Sequence, residues 1–309
     1  MDEYANLRLD ADLGVFFSRQ LEHVKARTYD IKYAELNALR FIPVSTEAGP
    51  GAESITYEQY DQVGVAKIIE SYASDLPRAD IKGQEFTGRV RSLGNAYGYS
   101  IQDIRAAQMA GKPLETRRAS AARRANDEAV NRIAWGGDAD HNLQGFLSNP
   151  NIPVASVPAA GAGSATTFAS KTPDQIIRDM NACANDIVTN TFNVERPDTL
   201  LMPIAQYSFI ASTPRSSTSD TTILEFFLRS NPYINRVEPV HELTGVGTAG
   251  ADIMLAYRQS DEVLTLEIPQ PFEQLPVQEI GLEFQVPCHS RIGGVNIYYP
   301  LAINIREGI

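Results

Sequence analysis

Apolar positions along the chain change their spacing several times, and each change marks an element. Between Leu7 and Leu39, Val15, Phe16, Leu21 and Val24 recur at roughly helical spacing among polar residues, which predicts an arm with a short helix and no compact unit. Residues 41–54, FIPVSTEAGPGAES, then break any regular element with Pro43, Gly49, Pro50 and Gly51. Two β-type segments follow, 55–71 and 84–100, in which Ile55, Tyr57, Val63, Val65, Phe86 and Val90 alternate with polar residues, joined by 72–83. This region has too few large aliphatics for a core of its own. A two-stranded ribbon is marginal in water, so it needs a surface to lie on.

From Pro113 the pattern turns helical, and Pro113 near the start with Gly136 and Gly137 at the end predicts a helix over about 113–135. Its apolar face is thin: Leu114, Ala122, Ala125, Ala129 and Ile133. Arg117, Arg118, Arg123, Arg124, Asp127, Glu128 and Arg132 cover the rest, so the helix has one narrow seat and a charged majority facing water or neighbouring molecules. A Gly/Ala/Ser/Pro-rich linker, 152–170, leads to a second helix. Thr172 serves as its N-cap, Pro173 as N1 and Gln175 completes a capping box, while Ile176, Met180, Cys183 and Ile187 keep the period.

Residues 196–212 read as a buried strand, a turn and a short helix, and 219–234 as a further short helix stopped at Asn231-Pro232. The remainder is β: 252–258, 262–269, 282–291 and 294–305. Pro269, Pro271, Pro276, Pro287 and Pro300 restrict these strands to edges, ends or bulges. Types alternate without a βαβ rhythm or an internal repeat, so the class is α+β.

Composition adds bounds. The 309 residues are 43% hydrophobic, enough for a real core and against global disorder. No apolar run approaches the ~18 residues of a membrane span, and the polar, acidic start MDEYANLRLDADLG lacks a signal-peptide core. A net charge of -11 argues against a dedicated nucleic-acid binder and leaves room only for local, weak contact. Cys183 and Cys288 are far apart without CxxC spacing, which favours buried, reduced thiols.

Candidate chemistry is thin. In GGDADHNLQGFLSNPNI (136–152), Asp138, Asp140 and Asn142 match the first three ligand positions of a helix-loop-helix calcium site. Leu143 stands where Gly is needed and Asn149 where a bidentate Glu belongs, so the residues are expected to make Asx turns that carry the chain off the helix. GVGTAG (245–250) fits GxGxxG, yet a strand pattern follows it where a helix N-terminus is required, so it reads as a loop. His23, His141, His241 and His289 share no metal-ligand spacing. Cys288 and His289, adjacent in a strand, point to opposite faces and cannot act as nucleophile and base. The arginines of the long helix admit two readings, phosphate contact by Arg117 and Arg124 at i, i+7 or an inter-subunit salt-bridge network, and the interleaved acids favour the second.

The order of elements matters more than any single motif. TYDIKYAELNALRFIPVS, TYEQYDQVGVAKII, TPRSSTSDTTILEFFL, LTLEIPQPFEQLPVQE and GGVNIYYPLAI are similar to stretches of a group of tailed-phage major capsid proteins, and WGGDADHNLQG resembles the turn that leaves the spine helix in such shells. The whole chain thus resembles the Hong Kong 97 fold, which encapsulin nanocompartment shells share. The resemblance implies an N-terminal arm (1–40), an extended β-loop (52–97), a peripheral domain (98–195 and 265–309) with a spine helix at about 113–135, and an axial domain (196–264).

It further implies no catalytic residues, cofactor or metal. The function it implies is a self-assembling icosahedral shell of hexamers and pentamers around double-stranded DNA, formed in a host bacterial cytoplasm with scaffolding, portal and decoration proteins as further partners. Arg117, Arg118, Arg123, Arg124, Asp138, Asp140 and Asn142 are the candidate inter-subunit or inner-surface contacts. Lys67 and Lys82 lie in or near the ribbon, but no acceptor motif supports a cross-link. The chain opens directly on the arm, which leaves a separate scaffold, no scaffold, or a cleaved extension. The rival readings are an encapsulin-type shell and, further off, an enzyme whose site forms only in tertiary structure.

Overall fold

The computed structural model describes residues 32–64, 79–111, 115–216, 218 and 220–309. Most of the expected arm, with His23, and the far parts of the ribbon segments, with Lys67, lie outside the described residues. The chain divides into two units, 1–35 and Leu36–Ile309, and every described helix and strand belongs to the second.

In chain order, α1 (Ala38–Phe41) and β1 (Val44–Ser45) precede β2 (Ser54–Val63) and β3 (Asp80–Arg89), which pair antiparallel as a ribbon. β4 (Arg91–Ser100) runs into α2 (Ile101–Ala110), then α3 (Glu115–Gly136), β5 (Val154–Ser156) and α4 (Pro173–Asn190). After β6 (Thr199–Met202) come α5 (Ile204–Ser212), α6 (Ile223–Ser230), β7 (Arg236–Pro239), β8 (Ile253–Tyr257) and β9 (Leu264–Glu267). β10 (Gln270–Gln274), β11 (Gln278–Ile280), β12 (Glu283–Ile292), β13 (Gly294–Ile297) and β14 (Ile303–Glu307) complete the chain.

One sheet, in the order β5-β14-β8-β6-β7, divides the interior in two. Strand alternation sends Leu200, Met202, Met254 and Ala256 to one side, where they pack with Ile176, Met180 and Ile187 of α4 and Phe227 of α6. Leu201, Ile253, Leu255, Tyr257, Ile303 and Ile305 face the other side, with Phe41, Trp135 and Phe146. Burial on both faces is why TLLM and IMLAY read as continuous apolar runs. β14 is a strand of this sheet, paired with β8, and α4 packs against its face.

The second large sheet centres on β12, which pairs with β4 over ten residues, Glu283↔Ser100 to Ile292↔Arg91, and carries β10 and β11 on its other edge. α3 lies across β4 and β12. Its seat is Ala122, Asn126, Val130, Ile133 and Ala134, whereas Ala125 is exposed. The expected all-apolar stripe is corrected here: Asn126 fills the face because its Oδ1 accepts the Ser290 hydroxyl, and Asn95 Nδ2 donates to Ala122 O at 2.6 Å.

Three further differences from the sequence reading have local causes. The segment 84–100 is two strands, because the chain leaves the ribbon at Val90 and β4 continues on β12. α2 stands in a stretch to which the apolar pattern assigns no element, with Ser100 and Asp103 forming its capping box and Gly111, at φ 62, ending it in the left-handed conformation. Pro287 sits mid-strand in a central strand, and not at an edge or end. Its carbonyl accepts from Leu275 N–H, so its missing donor faces the same side, where the ladder is interrupted between β10 and β11.

A buried ion pair ties the start of α4 to its own helix: Lys171 Nζ lies 2.6 Å from Asp179 Oδ2, both side chains shielded from water, while Arg178 reaches Asp179 from the surface at 2.9 Å. Removing Lys171 leaves the buried Asp179 with only its surface contact to Arg178, so Lys171→Met is expected to cost roughly 3 kcal/mol in urea unfolding. Lys171→Met with Asp179→Leu recovers most of that loss; equal destabilisation of single and double variants would contradict it.

Candidate functional site

The residues singled out in the sequence fall into two places about 20–30 Å apart, the span of some fourteen to twenty residues along α3. They do not form one site. Arg117, Arg118, Arg123 and Arg124 lie on the N-terminal half of α3, and Asp138, Asp140 and Asn142 lie in the turn after its end.

Three of the four arginines meet acids of their own chain. Arg124 Nε is 2.8 Å from Glu128 and Arg123 Nε is 4.0 Å from Asp127, both i, i+4 pairs on an exposed face. Arg118 reaches back to α2, where it pairs with Asp103 at 3.2 Å, and to the end of β4, where it donates to Gly98 O and stacks its guanidinium over Tyr99 at 4.9 Å. Arg117 is exposed. The acids that suggested partners in other subunits therefore act first within the chain, and Arg118 works as the brace that fixes α2 to α3.

The turn is held by its backbone. Gly137, at φ 73, ends α3, and its N–H bonds Ile133 O at 2.8 Å. Asp138 and Leu143 exchange two backbone hydrogen bonds at 2.8 and 2.9 Å, with Asn142 at φ 55 making the reversal. The chain then recrosses the helix end, and Phe146 N–H and Leu147 N–H bond the carbonyls of Ala134 and Trp135 at 2.7 and 2.9 Å. Gly145 passes so close that a Cβ there would lie 2.7 Å from Trp135 O and nearer still to Gly137 N.

The Asp138 carboxylate accepts from His141 Nδ1 at 2.9 Å and from the His141 N–H at 3.2 Å, and the His141 hydrogen bond, partly opposed by desolvation, holds it below the ordinary carboxylate range. Asp138 thus makes the expected Asx-type turn. Among the described residues no group of three or more His, Cys, Asp or Glu could hold a metal ion.

The other flagged motifs resolve simply. In GVGTAG the Gly245 N–H donates to Asp252 Oδ1 at 2.8 Å and Gly247 N–H to Ala251 O at 2.8 Å; a single 3-10 turn, Thr248–Gly250, leads into β8, and no α-helix opens there to meet a phosphate. Cys183 and Cys288 are buried free thiols, and burial pushes Cys183 up to about 12.

Sequence reasoning missed the surfaces at the ribbon's base. Tyr57 and Phe86, directly opposite in the ribbon, stack at 5.2 Å, and Tyr57 meets the edge of Tyr298 at 4.8 Å. Beside them a cleft of about 470 Å³ opens between the ribbon and the turn, lined by Gly88, Asn142, Gln144 and Asn296 among others. It presents amides, carbonyls and apolar walls. Beyond the base, both ribbon faces are exposed, and Glu58 lies in register with Glu85.

A coreless ribbon, a long helix seated on a four-stranded sheet and a two-faced sheet under helices define a shell-building fold, that of tailed-phage capsids of the Hong Kong 97-like kind. Solved structures share it. The capsid of Myoviridae phage XM1 superposes with a TM-score of 0.82 at 20% identity, covering 96% of this chain and 100% of that one. The capsid of an empty GTA particle gives 0.66 at 11% identity, covering 97% and 99%. A virus-like particle from Pyrococcus furiosus gives 0.53 at 12% identity, covering 87% and 91%. No curated protein is similar at a significant level. The profile of the Major capsid protein family matches residues 64–309, and the chain belongs to that family.

Two outcomes test this geometry. Gly145→Ala forces its methyl into backbone and is expected to lose more than about 3 kcal/mol or to abolish soluble expression; a normal melting curve would contradict it. The Asp103 carboxyl is held low first by the Arg118 hydrogen bond and then by the Ser100 N–H. Its stabilisation is therefore present above the ordinary value of 3.8 and lost as pH falls through the depressed one. Asp103→Asn should melt below wild type near about pH 7, with the gap closing in acid; a constant gap on circular dichroism would refute the assignment.

Proposed function

We propose that the chain assembles as hexamers and pentamers into an icosahedral shell around the double-stranded DNA of a tailed phage or prophage, in the host cytoplasm. The observation that carries this reading is the ribbon, ten residues in each strand, exposed beyond its base and without a core. Such an element needs a further surface to pack on, and membership of a family of shell proteins supplies that surface from another copy. The role is architectural, with scaffolding, portal and decoration proteins as separate partners. Among the described residues no helix is long and apolar enough to cross a membrane.

In this reading residues 54–89 are the extended loop, and the sheet around β12 with α3 is the peripheral region. The sheet around β8 with α4, α5 and α6 is the axial region. β5 and β14 go with the axial region because they are strands of its sheet, and α4 because it packs in its core. The net charge of -11 suits a shell that holds its genome loosely. Arg117 and Arg124, with Arg117 the more exposed, are the proposed points of inner-surface contact.

The purified chain, run on size-exclusion chromatography with light scattering and imaged by negative stain, is expected to give capsomers or megadalton particles. Removing 56–87 should leave a folded subunit that forms none. Shells from the deletion variant at wild-type yield would defeat the reading, and shells holding protein cargo and no DNA would assign the fold to a nanocompartment. Arg117→Glu should shorten or destabilise packaged DNA, and unchanged genome length and stability would remove that contact.

A further inference from the structure

The loop that closes α4 contains two consecutive non-glycine residues in the left-handed region, Phe192 at φ 54 and Asn193 at φ 68. Asn reaches this conformation at small cost, but a bulky aromatic there is an outlier whose strain the surroundings have to impose.

They do so with a dense set of hydrogen bonds. Thr191 Oγ1 donates to Ile187 O at 2.7 Å and accepts the Glu195 N–H at 3.1 Å. The Asn193 N–H bonds Val188 O at 2.7 Å, and Arg196 Nε bonds Asn193 Oδ1 at 3.1 Å. Glu195 is in turn held by Arg258 at 3.1 Å. The loop is rigid, and what it presents is apolar: Phe192 is 92% exposed and Val194 77%.

Within the subunit this is unfavourable twice over. Glycine at 192 would relieve the backbone, and a ring so exposed contributes almost nothing to the fold. The phenyl group acts outside the subunit. A rigid aromatic held out on a fixed turn has the character of an interface anchor, since little entropy is lost when it docks.

The surface beside it is a receptor of matching kind. Val194, Tyr299, Pro300 and Leu301 line a cleft of about 1050 Å³ at the ribbon's base. A knob next to a hole on one patch is the pattern of a self-complementary contact, in which each of two copies fills the other.

We propose that Phe192 anchors a reciprocal contact between two copies of this chain, its ring entering the Val194–Tyr299–Leu301 cleft of the second copy. This rests on the shell reading, which supplies the identical copies.

The test compares wild type with Phe192→Gly and Phe192→Ser for thermal stability and for the concentration at which assembly begins. Phe192→Gly is expected to melt at or above the wild-type temperature as an unassembled subunit, yet to need at least about tenfold more protein to assemble. A photoreactive benzoylphenylalanine at 192 is expected to cross-link to residues 298–302 of another copy. Assembly of both glycine and serine variants at the wild-type concentration, or cross-links confined to the same chain or to another surface, overturns the anchor and leaves the shell reading standing. Failure of the wild type itself to associate at any concentration overturns both.

Discussion

The crossing of the chain at the end of α3 is the constraint on which the rest of the subunit depends. A long helix with a narrow seat needs its end fixed, and the backbone that leaves the helix does this by returning over it. Phe146 and Leu147 bond the last carbonyls, and only a residue without a Cβ passes Gly137 at that distance. The return also starts a relay into the core. Trp135 stacks on Phe146 at 5.7 Å, Phe146 meets the edge of Tyr257 at 5.2 Å, and the Tyr257 hydroxyl donates to Phe41 O at 2.7 Å. Asn131 adds a polar tie, accepting the Ala38 N–H and donating to Glu242. Helix end, central strand and α1 are thereby one unit, and the 470 Å³ cleft lies between the same turn and the ribbon's base.

The subunit spends its apolar residues unevenly. β6, β8 and β9 are buried along their whole length, whereas most of β2 and β3 is exposed. At about 25 cal/mol per Å² of apolar surface removed from water, the two-faced sheet dominates the stability and the ribbon contributes little to it. The division has a mechanical meaning. A body held by its own core keeps its shape in every environment, while a ribbon held by its environment takes the shape each neighbour offers.

How much of this was legible in the sequence depended on whether the signal was local. α4 announced itself through Thr172, Pro173 and Gln175, and the capping box is present with Thr172 N–H to Gln175 Oε1 at 2.9 Å. The apolar runs of β6 and β8 and the stop at Asn231-Pro232 were equally plain. α2 had a comparable cap in Ser100 and Asp103, masked by the weak alternation that runs up to it. The departure of the chain from the ribbon at Val90 left no mark, since β4 and β3 share one pattern and differ only in which strand pairs with them. The interleaved acids of α3 signal paired arginines, and Arg123 and Arg124 do pair along the helix, but Asp103, the partner of Arg118, comes from another element and left no mark in the helical pattern. Phe192 was invisible for a simpler reason: nothing in Thr-Phe-Asn-Val says that the aromatic takes a positive φ.

The ribbon's own sequence shows how weakly its free form is specified. Thr56 and Thr87 share a cross-strand hydrogen bond at 2.9 Å, and Asp61 faces Lys82, but Glu58 lies directly opposite Glu85. Like charges in register oppose the pairing, and at the surface the penalty is a fraction of a kcal/mol. That is small against a folded body and large against a two-stranded element with no core. The ribbon is therefore shallow in energy when alone, and its geometry follows the surface beneath it. A shell built from one sequence places that sequence in positions that are not equivalent, and a shallow ribbon can meet each of them without cost to the core. In the proposed shell, the property that makes the element weak in the isolated subunit is the one by which a single chain meets neighbours that are not equivalent.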